Sequence, residues 1–233
     1  VPKIDLTSFL AVPRVVATVH RAEDLDCRVP PETCDLLEYR LDNLRDHFTS
    51  AERSLAASSL PCLITARHPA EGGAGDLDAA ERRELLLRAL PHAALMDVEL
   101  RSLTELADVV NAAHSAGVGV VASYHDFEKA PEASELMAAF VAGIRGGADV
   151  VKIAVRLQSM KDLSTLALLT ELAGARSRIS TMGMGPLGKV SRLVMAAAGS
   201  CLNYGYLQEP NAPGQWPAGQ LMERLREIGA REI

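Results

Sequence analysis

The chain has 233 residues, 48% of them hydrophobic and 23% charged, and carries a formal net charge of −6. That length suits one large domain or two small ones and supports a sizeable core. The acidic balance excludes a basic nucleic-acid or anionic-membrane surface, and no apolar run reaches the ~20 residues that span a bilayer.

No basic stretch followed by an apolar one opens the chain, so no leader is expected, and the start at Val1 leaves room for a missing tag or initiator segment. The cysteines Cys27, Cys34, Cys62 and Cys201 form no C-x-x-C pair and match no zinc spacing. A reduced, cytoplasmic protein is the natural expectation.

Strand-like runs recur at Arg14–Val19, Leu36–Leu41, Cys62–Arg67, Leu95–Glu99, Val118–His125, Val150–Val155, Arg178–Met182 and Cys201–Leu207. Amphipathic stretches separate them. Leu85, Leu86, Ala89 and Leu90 share one helical face, as do Leu103, Leu106, Val110 and Ala113. Leu163, Leu166, Leu169 and Leu172 form another, and Leu221, Leu225 and Ile228 close the chain. No composition shift or linker divides the sequence, so residues 1–233 are expected to form a single domain. Strands alternating with helices imply parallel βαβ units with right-handed crossovers. About eight such units in about 250 residues is the arithmetic of a (β/α)8 TIM barrel, with a doubly wound open sheet as the alternative.

In a barrel the chemistry sits at the C-terminal ends of the strands. Lys152 lies within the β-branched run Asp149–Val155, where an ammonium is costly to desolvate. Burial and nearby cations would lower its pKa and free a nucleophilic amine, whereas a strand-end lysine could simply reach solvent. His125, in Ser123–Phe127, closes the preceding strand and would meet Lys152 across adjacent strands as a general acid and base. Glu38 and Arg40 are two apart and share a strand face, while Leu37, Tyr39 and Leu41 would pack against the helices. Arg67 ends the third strand, where its fork suits a carboxylate or phosphate.

Residues 183–188 read G-x-G-x-x-G between a strand and a helix. The rest of a dinucleotide fingerprint is missing, because Asn203 and Tyr204 stand about 20 residues on, where an acidic residue is required. An anion loop with Pro186 in its first turn and Arg192 one turn further is the better reading. The proline-rich stretch Asn211–Pro217 has the composition of a lid or of a rigid connector.

Together these motifs resemble the type I 3-dehydroquinate dehydratases, the Schiff-base dehydroquinases, collinearly from about Arg14 to Gln215. The resemblance rests on E-x-R at Glu38 and Arg40, T-x-R-x-x-x-E-G-G at Thr65–Gly73 and S-x-H-D-F at Ser123–Phe127. It continues through K-I-A at Lys152–Ala154, the glycine element ending at Ser191 and Arg192, and A-P-G-Q at Ala212–Gln215. It implies a (β/α)8 barrel that converts 3-dehydroquinate to 3-dehydroshikimate, a dehydration shared by the shikimate pathway and quinate breakdown, without metal or organic cofactor, as a homodimer. It also implies that Lys152 forms an iminium, that His125 moves the protons and that Glu38 orients or tunes His125. Arg192 would clamp the substrate carboxylate, and Arg40, Arg67 and Gln215 would contact substrate. Glu71 matches a rim acid without an assigned task. Asn211 departs from the serine usual in bacterial members, so lid geometry is expected to differ there. A Schiff-base aldolase acting on a sugar phosphate and a non-catalytic metabolite-binding barrel are the rival readings.

Overall fold

The structure, a computed structural model, describes residues 4–231. Eight parallel strands form its sheet: β1 (Arg14–Val19), β2 (Leu36–Arg40), β3 (Cys62–Thr65), β4 (Leu95–Glu99), β5 (Gly119–Asp126), β6 (Val150–Arg156), β7 (Arg178–Met184) and β8 (Leu202–Tyr206). The helices are α1 (Leu6–Phe9), α2 (Phe48–Ala57), α3 (Ala79–Ala89), α4 (Ala107–Ser115), α5 (Ala133–Arg145), α6 (Met160–Gly174), α7 (Gly188–Ala197) and α8 (Ala218–Glu227). Neighbouring strands pair in chain order from β1 to β7, and β8 pairs with β1. The Cys201 N–H donates to the Ile179 carbonyl at 2.9 Å, and Ser180 Oγ to the Leu202 carbonyl at 2.7 Å, drawing β7 and β8 together. The sheet is therefore a nearly closed barrel and not an open, doubly wound one.

Two apolar layers follow from the period-2 alternation of each strand. Val16, Leu36, Leu63, Leu95, Val121, Val150 and Leu202 fill the lower barrel, where Leu6, Phe9 and Leu10 plug its N-terminal end. Leu37, Tyr39 and Leu41 face outward onto the helix layer, which leaves Glu38 and Arg40 directed inward as the spacing predicts. Three expectations need correction. The first crossover carries only a 3-10 turn, Ala22–Asp26, because Pro30 and Pro31 follow and neither has an N–H to extend a helix. Leu172 and Ile228 are exposed. A three-residue step turns a helix by ~300°, so the row from Leu163 drifts off the buried face, and Ala173 takes the place of Leu172. Finally, β7 runs on to Met184, which puts Gly183 inside the strand.

Candidate active site

All eight residues singled out in the sequence line one cavity of about 230 Å³ at the C-terminal end of the barrel: Glu38, Arg40, Arg67, His125, Lys152, Arg192, Asn211 and Gln215. Glu71, Met182, Met184 and Tyr204 are among the other residues of its walls. Lys152 is buried, and its Nζ donates to Asp97 Oδ2 at 3.2 Å, with Glu38 Oε1 at 3.9 Å. The alternative of a solvent-reaching lysine is thus excluded. Burial lowers the Lys152 pKa and Arg67 adds to that, while Asp97 and Glu38 oppose it.

The register pairs Ser123 with Lys152 and His125 with Ala154. His125 therefore sits one inward position nearer the mouth than Lys152, on the neighbouring strand. Its ring Nδ1 lies 3.0 Å from Glu71 Oε2, and its backbone N–H donates to the same oxygen at 3.0 Å. Burial and then the Arg67 and Lys152 cations push the His125 pKa well below its ordinary value, so the ring is neutral at physiological pH. Burial raises the Glu71 carboxyl to about 7, against the pull of Arg67. An ionised Glu71 accepts Nδ1–H and leaves the Nε2 lone pair free as a base.

The expectation that Glu38 orients His125 is therefore corrected: Glu71 is the carboxylate on that ring. Glu38 instead accepts from Thr65 Oγ1 at 2.9 Å and from Thr18 Oγ1 at 3.2 Å, and lies beside Lys152. Glu71 stands on a 3-10 turn, Pro69–Glu71, where Gly72 closes the turn at a φ of 82°. Only glycine adopts that conformation without strain.

Arg67 is likewise more occupied than a rim clamp should be. Its Nη1 and Nη2 donate to Asp97 at 2.9 and 3.0 Å, and Nη1 also reaches Glu99 Oε1 at 3.2 Å and Ser123 Oγ. Two carboxylates neutralise it, so its charge serves the site's internal balance more than an incoming anion. Arg192 is the opposite case. It is buried, and it donates to the carbonyls of Tyr204, Gly183, Gly188 and Gly214 at 2.7 to 3.0 Å, with no carboxylate among these partners. Burial lowers its pKa only to about 10, so it stays charged. An uncompensated buried guanidinium on a cavity wall is built for an anionic ligand.

Arg40 is held by Asp42, with Nε to Oδ1 at 3.0 Å and Nη2 to Oδ2 at 2.7 Å, and its Nη2 also meets the Gly72 carbonyl at 3.1 Å. Asp42 in turn accepts from the Arg67 and Ala74 backbone N–H groups, tying the loop after β3 to β2.

The glycine run works through close approach. A Cβ on Gly188 would lie 2.8 Å from Gly214 Cα, and one on Gly183 would clash with Leu157 and Ser191. The Gly183 N–H is taken by Ser191 Oγ at 2.9 Å. Residues 183–188 thus dock the 211–217 loop instead of cradling a phosphate. That loop lies over the cavity, as a lid should. Gln215 Oε1 accepts from the Asn211 and Ala212 N–H groups at 2.9 and 3.2 Å, and Trp216 Nε1 donates to the Lys189 carbonyl at 2.9 Å. Asn211 Oδ1 is buried without a hydrogen-bond partner among the described residues, the local consequence of an amide at this lid position.

Sequence reading missed the task of Glu71 and the pairing of Asp97 with Lys152. Period 2 along β4 would have directed Asp97 inward beside Glu99, but nothing local pairs it with a residue two strands away.

A family model described as "Type I 3-dehydroquinase" matches residues 10–232. A 3-dehydroquinate dehydratase of Methanocella arvoryzae is 34% identical over 222 residues, covering 94% of this chain and 98% of that relative. The crystal structure of the Geobacillus kaustophilus 3-dehydroquinate dehydratase superposes with a TM-score of 0.84 at 28% identity, covering 96% of this chain and 93% of the other. A Clostridium difficile type I enzyme, described with covalently modified comenic acid, gives 0.82 at 27% identity over 95% and 94% of the two chains.

Proposed function

The chain belongs to the type I 3-dehydroquinase family and is a hydro-lyase of that kind, and we propose that it dehydrates 3-dehydroquinate through an iminium on Lys152. The observation that carries this reading is the cavity itself. A buried lysine and a carboxylate-held neutral histidine face it, and an arginine without a carboxylate partner forms its wall.

Neutral His125 takes one proton from the Lys152 ammonium, the freed Nζ lone pair attacks the substrate ketone carbon, and the proton that the attacking nitrogen then sheds passes to the carbonyl oxygen to give a carbinolamine. Protonated His125 returns a proton to that hydroxyl, which leaves as water while the nitrogen lone pair closes the C=N⁺ bond. The cationic iminium acidifies the adjacent C–H. Neutral His125 removes that proton, leaving an enamine, and a near-neutral base suffices because the iminium accepts the electron pair. The enamine then expels the ring hydroxyl, which leaves as water with the proton from His125, and the iminium re-forms. Attack of water on the iminium carbon releases 3-dehydroshikimate and returns Lys152. Arg192 holds the substrate carboxylate, while Glu38, Arg40, Asn211 and Gln215 face the substrate hydroxyls. No step in this sequence calls on a metal or an organic cofactor. Arg67 keeps the polar floor in register.

A phosphate-handling aldolase is less well supported, because the Gly183 N–H is occupied and Gly188 is covered by Gly214. We place the reaction in the shikimate pathway of the cytoplasm and propose a homodimer. The exposed Leu168 and Leu172 on α6, with Val190 and Val194 on α7, are the apolar side chains a second copy would cover. Light scattering decides that point. The activity is tested by following the enone absorbance of the product. Wild type should generate it and Lys152→Ala should not; a Lys152→Ala protein with wild-type turnover overturns the mechanism.

A further inference from the structure

The buried polar floor beneath the cavity is a chain of alternating charge. Arg82 on α3 donates to Glu99 Oε2 at 2.9 Å, and Glu99 Oε1 accepts from Arg67 at 3.2 Å. Arg67 grips Asp97 with both Nη atoms, and Asp97 accepts from Lys152, beside which lies Glu38. All six side chains are buried. Three are carboxylates and two are guanidiniums, so the network is neutral only when the sixth group, the Lys152 nitrogen, carries a positive charge.

We propose that Asp97 is the counter-ion of the Lys152 nitrogen throughout the cycle, pairing with the resting ammonium and then with the substrate iminium that replaces it. This rests on the Schiff-base reading above and names a residue which that reading does not require. Both nitrogen species are cations with an N–H directed at an acceptor, so one fixed carboxylate serves both without rearrangement. The geometry makes Asp97 the closest such group. Facing the nitrogen are Asp97 from β4 at 3.2 Å, Glu38 from β2 at 3.9 Å and the Tyr204 ring from β8 at 4.2 Å to its centroid. The other charged or titratable groups that act on it are Arg67, from the loop after β3, and His125 from β5, while on β7 Ser180 is the register partner of Lys152. Burial alone would raise the Asp97 carboxyl, but Arg67 and then Lys152 outweigh it and hold the group well below the usual carboxylate range. Asp97 therefore stays ionised at any working pH, as a permanent counter-ion must. The same pairing keeps the resting lysine protonated until substrate arrives, and neutral His125 is the base at hand to take that proton.

The test uses the full chain, 3-dehydroquinate and borohydride, with the trapped adduct counted by intact mass across a pH series. Asp97→Asn keeps the shape and removes the charge; melting curves show that it is folded. The expected result is an adduct yield at neutral pH lower by roughly tenfold or more, with the half-maximal pH moved down by at least about one unit. In the same variant kcat should fall by roughly tenfold or more while KM stays within about threefold, because Asp97 touches the nitrogen and not the rest of the substrate. Asp97→Glu, which keeps the charge, should return the midpoint toward wild type. Trapping by folded Asp97→Asn with wild-type yield and midpoint overturns the proposal. Absence of adduct in wild type overturns the Schiff-base reading instead. If Asp97→Asn does not fold, the Lys152 Nζ resonance of wild type is read by ¹⁵N NMR and assigned by its loss in Lys152→Ala. A hydrogen-bonded ammonium at pH 7 supports the proposal, and a neutral amine there overturns it.

Discussion

Glu71 Oε2 lies 3.0 Å from the Nδ1 of His125 and accepts that residue's backbone N–H at the same distance. One carboxylate oxygen thus fixes the ring, the backbone that carries it and the tautomer that leaves Nε2 basic. Because burial has raised the Glu71 carboxyl to about 7, this arrangement is assembled only as pH climbs through neutrality.

A pH profile should show it. The kcat of wild type should rise with pH through about 7 as Glu71 ionises. Glu71→Gln should lower kcat by roughly 10- to 100-fold and remove that limb. Stability runs the other way. The folded chain binds the Glu71 proton more tightly than the unfolded chain, so from the ordinary 4.5 up to about 7 this group's contribution falls as pH rises. Glu71→Gln should therefore be relatively more stable at pH 8 than at pH 5, as urea titrations at the two values would read.

Arg192 should report substrate anchoring. Arg192→Lys keeps one charge but cannot satisfy four carbonyls and a carboxylate together. Loss of a charge-assisted contact is worth about 1.5–3 kcal/mol, so kcat/KM should drop roughly 10- to 150-fold, with most of the change in KM. Steady-state kinetics check this.

The glycine contact between α7 and the lid makes a separate claim. In Gly188→Ala the new methyl would meet Gly214 Cα at 2.8 Å and its carbonyl oxygen at 3.0 Å. Overpacking of this sort is worth about 1–3 kcal/mol, and the lid yields more readily than the barrel. We expect KM to rise several-fold, faster proteolytic cleavage within residues 211–216, and an almost unchanged melting temperature.

Arg82 tests the buried network without touching the cavity. Arg82 and Glu99 are each 1% exposed, so Arg82→Met leaves a buried carboxylate short of a partner. Breaking such a pair destabilises by about 3–5 kcal/mol. Urea unfolding should show a loss of that size, with KM close to wild type in the protein that remains folded.

The strands were legible because buried parallel strands are β-branched runs bounded by turn residues, and their ends fell within about two residues of expectation. The missing first crossover helix was readable in principle from Pro30 and Pro31. Leu172 is exposed because a row of leucines three apart looks like a helix face but slowly rotates off it, and Ile228 because α8 ends at Glu227, one residue before it. In the candidate site, residue types at strand ends gave Glu38, Arg40, Arg67, His125 and Lys152, the glycine-loop reading gave Arg192 and the family resemblance gave Asn211 and Gln215, and all eight line one cavity. Pairing between them was not legible. Glu71 and His125 are 54 positions apart, and Lys152 and Asp97 are 55 apart, so each contact exists only once the barrel closes. The resemblance linked Glu38 to His125, but its strand position only points it inward, and the barrel's register places Lys152 beside it and Glu71 on the His125 ring.

The most direct measurement is the intact mass of the chain after incubation with 3-dehydroquinate and borohydride, followed by peptide mapping. The expected result is a gain of one substrate or product molecule less one oxygen atom, located on Lys152 and absent from Lys152→Ala. An unchanged mass in active wild-type protein, or an adduct located on a different lysine, would contradict it.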